Sequence, residues 1–482
     1  MDLKSDLMEY KETNSKNKDT LFENKYILII TSLSYFLSGF SVSVISVALP
    51  SIGRDFAVSA VAQNWIAMIF FLLIAIFSLP FGKMSAKFGL KKTFYLGLIF
   101  LIFGSFGASI SNSSDILIFF RAVQGLSIAI LNVSTLAIVT QAMPKNERGK
   151  GIGIITSIAY IGLIAANIIG GFLTNNFGWR SVFLVVIPFL ILTMIITYFK
   201  VPNEWILMKN DKFDYIGALS FAVAITCLTY GFTIIHTLNG VILIISSIIL
   251  FLIFRKWQLK VEYPMFPVKI LKNRKFVFSS IAALLCSFAT FVITYIVDYH
   301  LQYINGVDPQ STGLILMLAP LSMAISTFFS GRLSDRINPQ LLASSGLVVA
   351  FISLLILTFL NQSTPTIVII IAIILEGLGY GMFISPNTNI VISSLPSKLS
   401  SIASATVSTT RVIGETLSLG MLTMTFAIIM GSLPIIPKYF HLLSISSKIV
   451  CILAGIGCLI AILFSLIGIK SDKGAISNNE HV

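Results

Sequence analysis

Apolar runs of ~20 residues, each long enough to cross a bilayer core as a helix, recur fourteen times between Tyr26 and Ile469. Hydrocarbon offers no water to satisfy backbone N–H and C=O groups, so each run must close its hydrogen bonds internally. The expected fold class is therefore all-α integral membrane, with 14 transmembrane helices. Composition agrees, with 56% hydrophobic and 11% charged residues and a mean hydropathy of +0.92. At 482 residues the chain has about 34 per span, too few for a separate soluble catalytic domain.

The spans are expected at 26–49, 62–81, 93–111, 115–140, 150–174, 180–200, 214–235 and 239–254, and then at 276–298, 311–330, 341–360, 366–391, 401–430 and 448–469. The stretch from Asp214 to Trp257 decides between thirteen spans and fourteen. It is about twice the length of one crossing, and His236, Asn239 and Gly240 supply a turn in its middle. A hairpin of two spans also keeps the basic loops on one side.

Net charge is +13, but its distribution argues against a nucleic-acid partner. Lys83, Lys87, Lys91 and Lys92 share one break, and Lys145, Arg148 and Lys150 share another. Seven cations from Arg255 to Lys275 crowd a third, whereas the intervening breaks hold only Arg54, Arg180, Lys438 and Lys448. This alternation follows the positive-inside rule and predicts a multi-pass protein of the plasma membrane with both termini cytoplasmic. Residues 1–25 read as a solvated tail, not a signal peptide. The four cysteines (Cys227, Cys286, Cys451 and Cys458) lie within spans and read as packing residues. The tryptophans Trp65, Trp179, Trp205 and Trp257 fall at span edges, where amphipathic rings favour the interface.

An internal repeat organises the chain. Gly82-Lys-Met-Ser-Ala-Lys-Phe-Gly-Leu-Lys-Lys92 closes the second span, and Gly331-Arg-Leu-Ser-Asp-Arg-Ile337 closes the tenth. Each is a glycine-led basic turn. The expected division is a tail (1–25), a six-helix bundle (26–200), a two-helix linker with a basic loop (201–275), a second bundle (276–469) and a tail (470–482). Parallel repeats of this kind build transporters around a central cavity.

On these residues the chain resembles the major facilitator superfamily, and within it the fourteen-span drug:proton antiporter branch. The turn at 82–92 matches the family's cytoplasmic loop motif, and Gly331 to Arg336 matches its opening half. Arg121-Ala-Val-Gln124-Gly125 matches the fourth-span signature Arg-x-x-Gln-Gly. Val47-Ala-Leu-Pro50 and Phe177-Gly-Trp-Arg180 look like markers of the branch. The chain departs from the pattern at Ala86, where the family motif has Asp, and at Ser41, Ser43 and Ser46, where the branch has Asp, Thr and Asn. The fifth-span antiporter motif survives as Gly162, Ala166, Asn167, Gly170 and Gly171, its Gly-Pro step replaced by Ala-Asn.

Charges inside a bilayer are costly and so are candidates for function. Arg121 lies ~9 Å below the outer edge of its span, with Asn132 eleven positions later on nearly the same face. The expectation is a polar stripe toward a cavity, Arg121 acting on a nearby carboxylate or holding an anion; an arginine snorkelling to the interface is the alternative. Glu376 lies ~15 Å deep, with Asn387 on the same face, and reads as a proton carrier or a counter-ion for a cationic substrate. Arg411 and Glu415 are four residues apart and expected to pair. Asp298 is expected at the outer interface. Ser34, Ser38 and Ser41 form a stripe suited to packing or to lining a cavity. The turn residues Gly82, Lys83, Lys87, Gly89, Lys91, Gly331, Arg332, Asp335 and Arg336 are expected to gate, with Asp335 latching to Arg332, Arg336 or a neighbouring helix.

The resemblance implies a secondary active transporter that exports small apolar or cationic compounds in exchange for protons. Its expected partners are the lipid bilayer, a small-molecule substrate and protons; it would act as a monomer. No cofactor beyond the proton gradient is expected, no metal site and no enzymatic activity. His236, His300, His441 and His481 form no metal-spaced cluster, and no phosphate-binding Gly-x-x-x-x-Gly-Lys-[Ser/Thr] loop occurs. A facilitator or symporter for another solute is the alternative, and a non-transporting membrane sensor is the alternative of a different class.

Overall fold

The computed structural model describes residues 3–144, 147–201, 203–208, 212–334, 336–396 and 400–479, with side chains from 25 to 467 except at 149 and 400–402. The expectations for the two tails fall outside the described side chains, and Lys145 and Asp335 lie outside the described residues.

Among the described residues, fourteen helices are long and apolar enough to cross a membrane. Spans 1 to 6 are Lys25–Phe56, Ala60–Phe88, Leu90–Ser109, Ser114–Ala142, Lys150–Phe177 and Ser181–Lys200. Spans 7 and 8 are Tyr215–Thr233 and Leu238–Gln258. Spans 9 to 14 are Arg274–Ile304, Pro309–Leu333, Pro339–Thr358, Thr366–Ser393, Ala403–Ile429 and Pro437–Ile467. The face bearing the basic loops is called inner below, and its opposite outer.

Two boundaries differ from expectation for a reason. Span 9 does not stop at Asp298: the α-helix passes into a π-helical turn over His300–Ile304, so Asp298 is fully buried (0% exposed) and not interfacial. Span 14 begins earlier than expected, placing Lys448 within a helix on its exposed side. In that turn Gln302 and Tyr303 bond to Val47, Pro50 and Gln63 of spans 1 and 2, contacts between distant parts of the chain that the sequence pattern cannot reveal.

The span 7–8 hairpin is closed at both ends. Asp214 accepts from Gly217 N (2.8 Å), Trp257 Nε1 (2.8 Å) and Gln258 Nε2 (2.5 Å), tying the start of one helix to the end of the other. At the far end the turn falls over 234–237, one step before the expected Asn239 and Gly240, and Thr237 caps it by accepting from Gly240 N.

Spans 1 to 6 pack chiefly on one another and spans 9 to 14 likewise, while span 7 touches span 2 and span 13. The two sets meet along span 1 with span 9, span 2 with span 13, and span 5 with span 10. Small residues permit this: a Cβ on Gly171 would overlap Pro309 O, and one on Gly313 would overlap Asn167 O.

Candidate functional site

The outer ends of the two sets are sealed by polar bonds. Gln302 Nε2 donates to Val47 O (2.9 Å) and to Asp298 Oδ1 (2.7 Å). Arg54 Nη2 donates to Gln302 O (3.1 Å), and its guanidinium lies over the Tyr303 ring. The Tyr303 hydroxyl is 3.1 Å from both Pro50 O and Gln63 Oε1. Asn64 Nδ2 reaches Leu419 O (2.9 Å) and Thr423 Oγ1 (2.5 Å), and Ser59 bridges Pro434.

Below this seal a polar cluster forms between the sets. Arg411 Nε stands 3.5 Å from Glu415 Oε1, so the expected pair is present. It is a loose pair: the Arg411 side chain remains 40% exposed and Glu415 14%. Arg411 also lies within electrostatic reach of Tyr35 (span 1), Tyr160 (span 5) and Tyr380 (span 12). Arg411 is about 12 Å from the inner end of its helix. With the outer ends sealed, its exposure marks a cleft open toward the inner face.

Asn132 joins this cluster from span 4. Its Oδ1 accepts from Ser38 Oγ (2.8 Å), and its carbonyl accepts from Tyr35 Oη (3.3 Å). Arg121 does not join it. Only 1% exposed, it donates from Nε to Ile66 O (3.3 Å) and from Nη1 to Gln124 Oε1 (2.9 Å), with its guanidinium over the Phe70 ring. Gln124 passes the network to Ser105 Oγ (2.9 Å). Arg121 has no ion pair among the described residues. The expected common face of Arg121 and Asn132 therefore divides: helix 4 turns Arg121 toward spans 2 and 3 and Asn132 toward span 1. Nor does Arg121 snorkel. Neighbouring carbonyls and an aromatic face replace water around it.

Glu376 is half-buried on span 12, on the side away from the exposed Ile367 and near Cys286 of span 9. It has no hydrogen bond or ion pair among the described residues. Asn387 lies toward the inner end of the same helix, buried, and donates to Ser279 O (3.1 Å). Tyr380, one turn from Glu376, connects this face to Arg411.

The fifth-span residues form the junction between sets. Gly162 packs on the Phe36 backbone, Gly170 on Val44, and Gly171 on span 10. Ala166 is fully buried, and Asn167 Oδ1 accepts from Ser43 Oγ (3.3 Å). Of the first-span serines, Ser34 pairs with Thr135 (3.2 Å) and Ser38 with Asn132, while Ser41 lines a small cavity beside Arg121 and Gln124.

At the inner face, Gly82 continues span 2 and Gly89 turns at φ +113°. Val201 and residues 203–208 clamp this turn. Glu204 accepts from Lys91 N (2.9 Å) and Lys92 N (3.1 Å), placing a carboxylate on the first amides of span 3. Ala86 O accepts from Leu207 N (2.8 Å) and Met208 N (3.0 Å), Lys83 donates to Tyr263 O (2.8 Å), and Lys91 Nζ donates to Val201 O. Lys87 lies against the Phe88 ring. In the second copy, Gly331 lies near Ser385, Arg332 stacks on Phe328, and Arg336 is exposed.

Sequence reasoning missed Tyr35, Tyr160, Tyr380 and Glu204. A tyrosine hydroxyl within an apolar run is the signal that marks the first three; nothing local marks Glu204. The marker Trp179-Arg180 acquires a role too. Both donate to Asp55 Oδ2 (3.0 and 2.9 Å) while Arg180 reaches Ser111 O (3.1 Å), binding three outer segments together.

Comparisons with known proteins agree with this architecture. The chain is 29% identical over 372 residues to the riboflavin transporter RibZ of Clostridioides difficile (strain 630), covering 77% of this chain and 81% of that protein. It is 27% identical over 407 residues to the multidrug resistance protein Stp of Mycobacterium tuberculosis (strain ATCC 25618 / H37Rv), covering 82% and 74%. A bacterial homologue of the human lysosomal transporter Spinster, crystallised inward-facing and unoccupied, superposes with a TM-score of 0.64 at 17% identity, covering 92% of this chain and 97% of that one. The D-xylose-proton symporter superposes at 0.62 and 13% identity, covering 89% and 96%. Residues 31–419 match the family model described as Major Facilitator Superfamily, and the chain, a multi-pass membrane transporter, belongs to that superfamily.

Proposed function

We propose that this transporter exports small apolar or cationic compounds in exchange for protons, by alternating access of the cleft around Arg411. The observation that carries the reading is the pair of carboxyls inside the membrane-spanning region, Glu376 with no ionic partner among the described residues and Glu415 only loosely held by Arg411. Glu376 exchanges a proton or a cationic substrate with the cleft. Glu415 alternates between Arg411 and a proton, so each bound species favours a different state, without which no coupling arises. Arg121 and Gln124 hold the frame on which Asn132 and Tyr35 are presented. The chain works as a monomer in the plasma membrane with both termini cytoplasmic, and the inner turns gate the cleft. A relative named as a multidrug resistance protein supports the export reading.

A second reading is favoured by one feature: three tyrosines, an amide and a guanidinium surround the cleft, a set suited to stacking and hydrogen-bonding a flat heteroaromatic solute. A relative named as a riboflavin transporter points the same way. The discriminating experiment is dye extrusion from energised cells of an efflux-deficient host, alongside flavin uptake by the same cells. Export predicts extrusion that collapses with a protonophore and falls at least about tenfold in Glu376→Gln, a change of ~1.4 kcal/mol. Flavin uptake without dye extrusion would replace export by the second reading.

A further inference from the structure

Spans 1, 5 and 6 leave a membrane-facing groove of about 640 Å³ that starts at the inner end of span 1 and reaches Ile169 of span 5 and Val185 of span 6, past the middle of the first set. Its walls are hydrocarbon: Leu33 and Phe36 from span 1, Ile154 and Ile158 from span 5, and Phe189 from span 6. The groove has a physical origin. Gly39 and Gly162 bring spans 1 and 5 into backbone contact, while span 6 stays against span 1 and leaves the inner part of span 5 uncovered. Along span 1 the lining runs from Lys25 to Phe40, about 22 Å of helix. That length exceeds the depth of one leaflet's hydrocarbon, about 15 Å, so a single lipid tail seated along it lies extended and reaches past the midplane.

Lys25 is the only ionic group among the lining residues, and it stands at the inner mouth. Lys200 ends span 6 beside it, its Nζ 5.2 Å from the centre of the Tyr26 ring. Lys25 at the mouth and Lys200 against the ring of the adjacent Tyr26 thus put two exposed cations near the inner end of a trough lined by apolar side chains and Ser32. We propose that this groove is a specific site for an anionic phospholipid of the inner leaflet. Its phosphate sits between Lys25 and Lys200, and one acyl chain lies along the seam of spans 1 and 5. The far side of span 1 presents Tyr35 and Ser38 to Asn132, so the lipid braces the helix that carries part of the cleft. This inference does not depend on what the cleft transports.

The test is native mass spectrometry of the full chain, released from nanodiscs holding equal phosphatidylglycerol and phosphatidylcholine. The native chain is expected to retain phosphatidylglycerol preferentially. Lys25→Gln should reduce that preference about fivefold and the double variant with Lys200→Gln further, as each juxtamembrane cation adds roughly that factor. Ile158→Trp, which fills the trough and keeps both charges, should lower retention of both lipids. Leu33→Phe serves as a milder filling variant if Ile158→Trp fails to fold, and Lys448→Gln should change nothing. Equal retention of the two lipids by the native chain overturns the proposal. So does a phosphatidylglycerol preference that survives both filling variants, which would reduce it to surface charge pairing. Capture of an apolar non-lipid compound in place of phospholipid also overturns it and would make the groove a substrate portal.

Discussion

Asp298 shows how much a single side chain depends on its neighbours. Fully buried, it keeps Gln302 oriented so that one amide group bonds Asp298 and, across the seam, Val47 O. Its other oxygen, Oδ2, has no partner among the described residues. Asp298→Ala removes the acceptor and is expected to cost about 1–3 kcal/mol in thermal unfolding, and to raise labelling of an outer-seam cysteine by a membrane-impermeant thiol reagent. Asp298→Asn, which keeps an acceptor oxygen, should retain the seal. Arg121→Lys belongs to the same scale. Lysine cannot span Ile66 O, Gln124 and the Phe70 face together, so the variant should lose stability with its folded fraction still transporting. Asn132→Ala, by contrast, should keep stability and lose transport; equal loss of both properties in the two variants would refute this division.

At the scale of elements, helix seams carry the sensitivity. A Cβ at Gly162 would collide with the carbonyl of Phe36, a backbone atom that cannot step aside. Gly162→Leu is therefore expected to separate spans 1 and 5 and lower transport at least about tenfold, equivalent to ~1.4 kcal/mol, at matched surface expression. The Glu204 clamp is a second such case. Glu204→Ala leaves the first amides of span 3 bare, with an expected loss of about 1 kcal/mol and faster proteolysis within 201–208. Span 10 starts on a comparable device outside the membrane. Asp308 accepts from Ser311 N (2.9 Å), and its bonds to Ser311 hold its carboxyl below the ordinary aspartate range. Because the folded value is lowered, the cap contributes above the unfolded value near 3.8 and is lost as pH falls through the folded one. The group is almost fully exposed, so the contribution is small.

For the whole molecule, the seal on one side and the exposed Arg411 on the other describe a cleft open to the inner face. A single cysteine replacing the part-exposed Arg411 in a cysteine-free background should react with an impermeant thiol reagent from the inner face and be protected from the outer face. Reaction from the outer face alone would contradict that geometry. The division of labour between sets follows from packing: span 5 bears on span 1 within its own set and on span 10 across the seam. Motion of one set against the other must rework that seam together with those of span 1 with span 9 and span 2 with span 13.

Much of this was legible in residue order alone. Run length determined the fourteen helices, because hydrocarbon forces every backbone group into a helix wherever the run occurs, and the glycine-led basic turns with Arg121-Ala-Val-Gln124-Gly125 carried the family resemblance. Spacing also determined that Arg411 and Glu415 would meet, since four residues return to one helical face. Contacts between helices from distant parts of the chain were decided only by the tertiary structure. It turned Arg121 away from Asn132, buried Asp298 by prolonging span 9, and set Glu204 at a turn more than a hundred residues away. It also gathered three tyrosines around Arg411. Periodicity tells which residues share a face of one helix; which neighbour that face meets depends on how closely glycines let the helices approach.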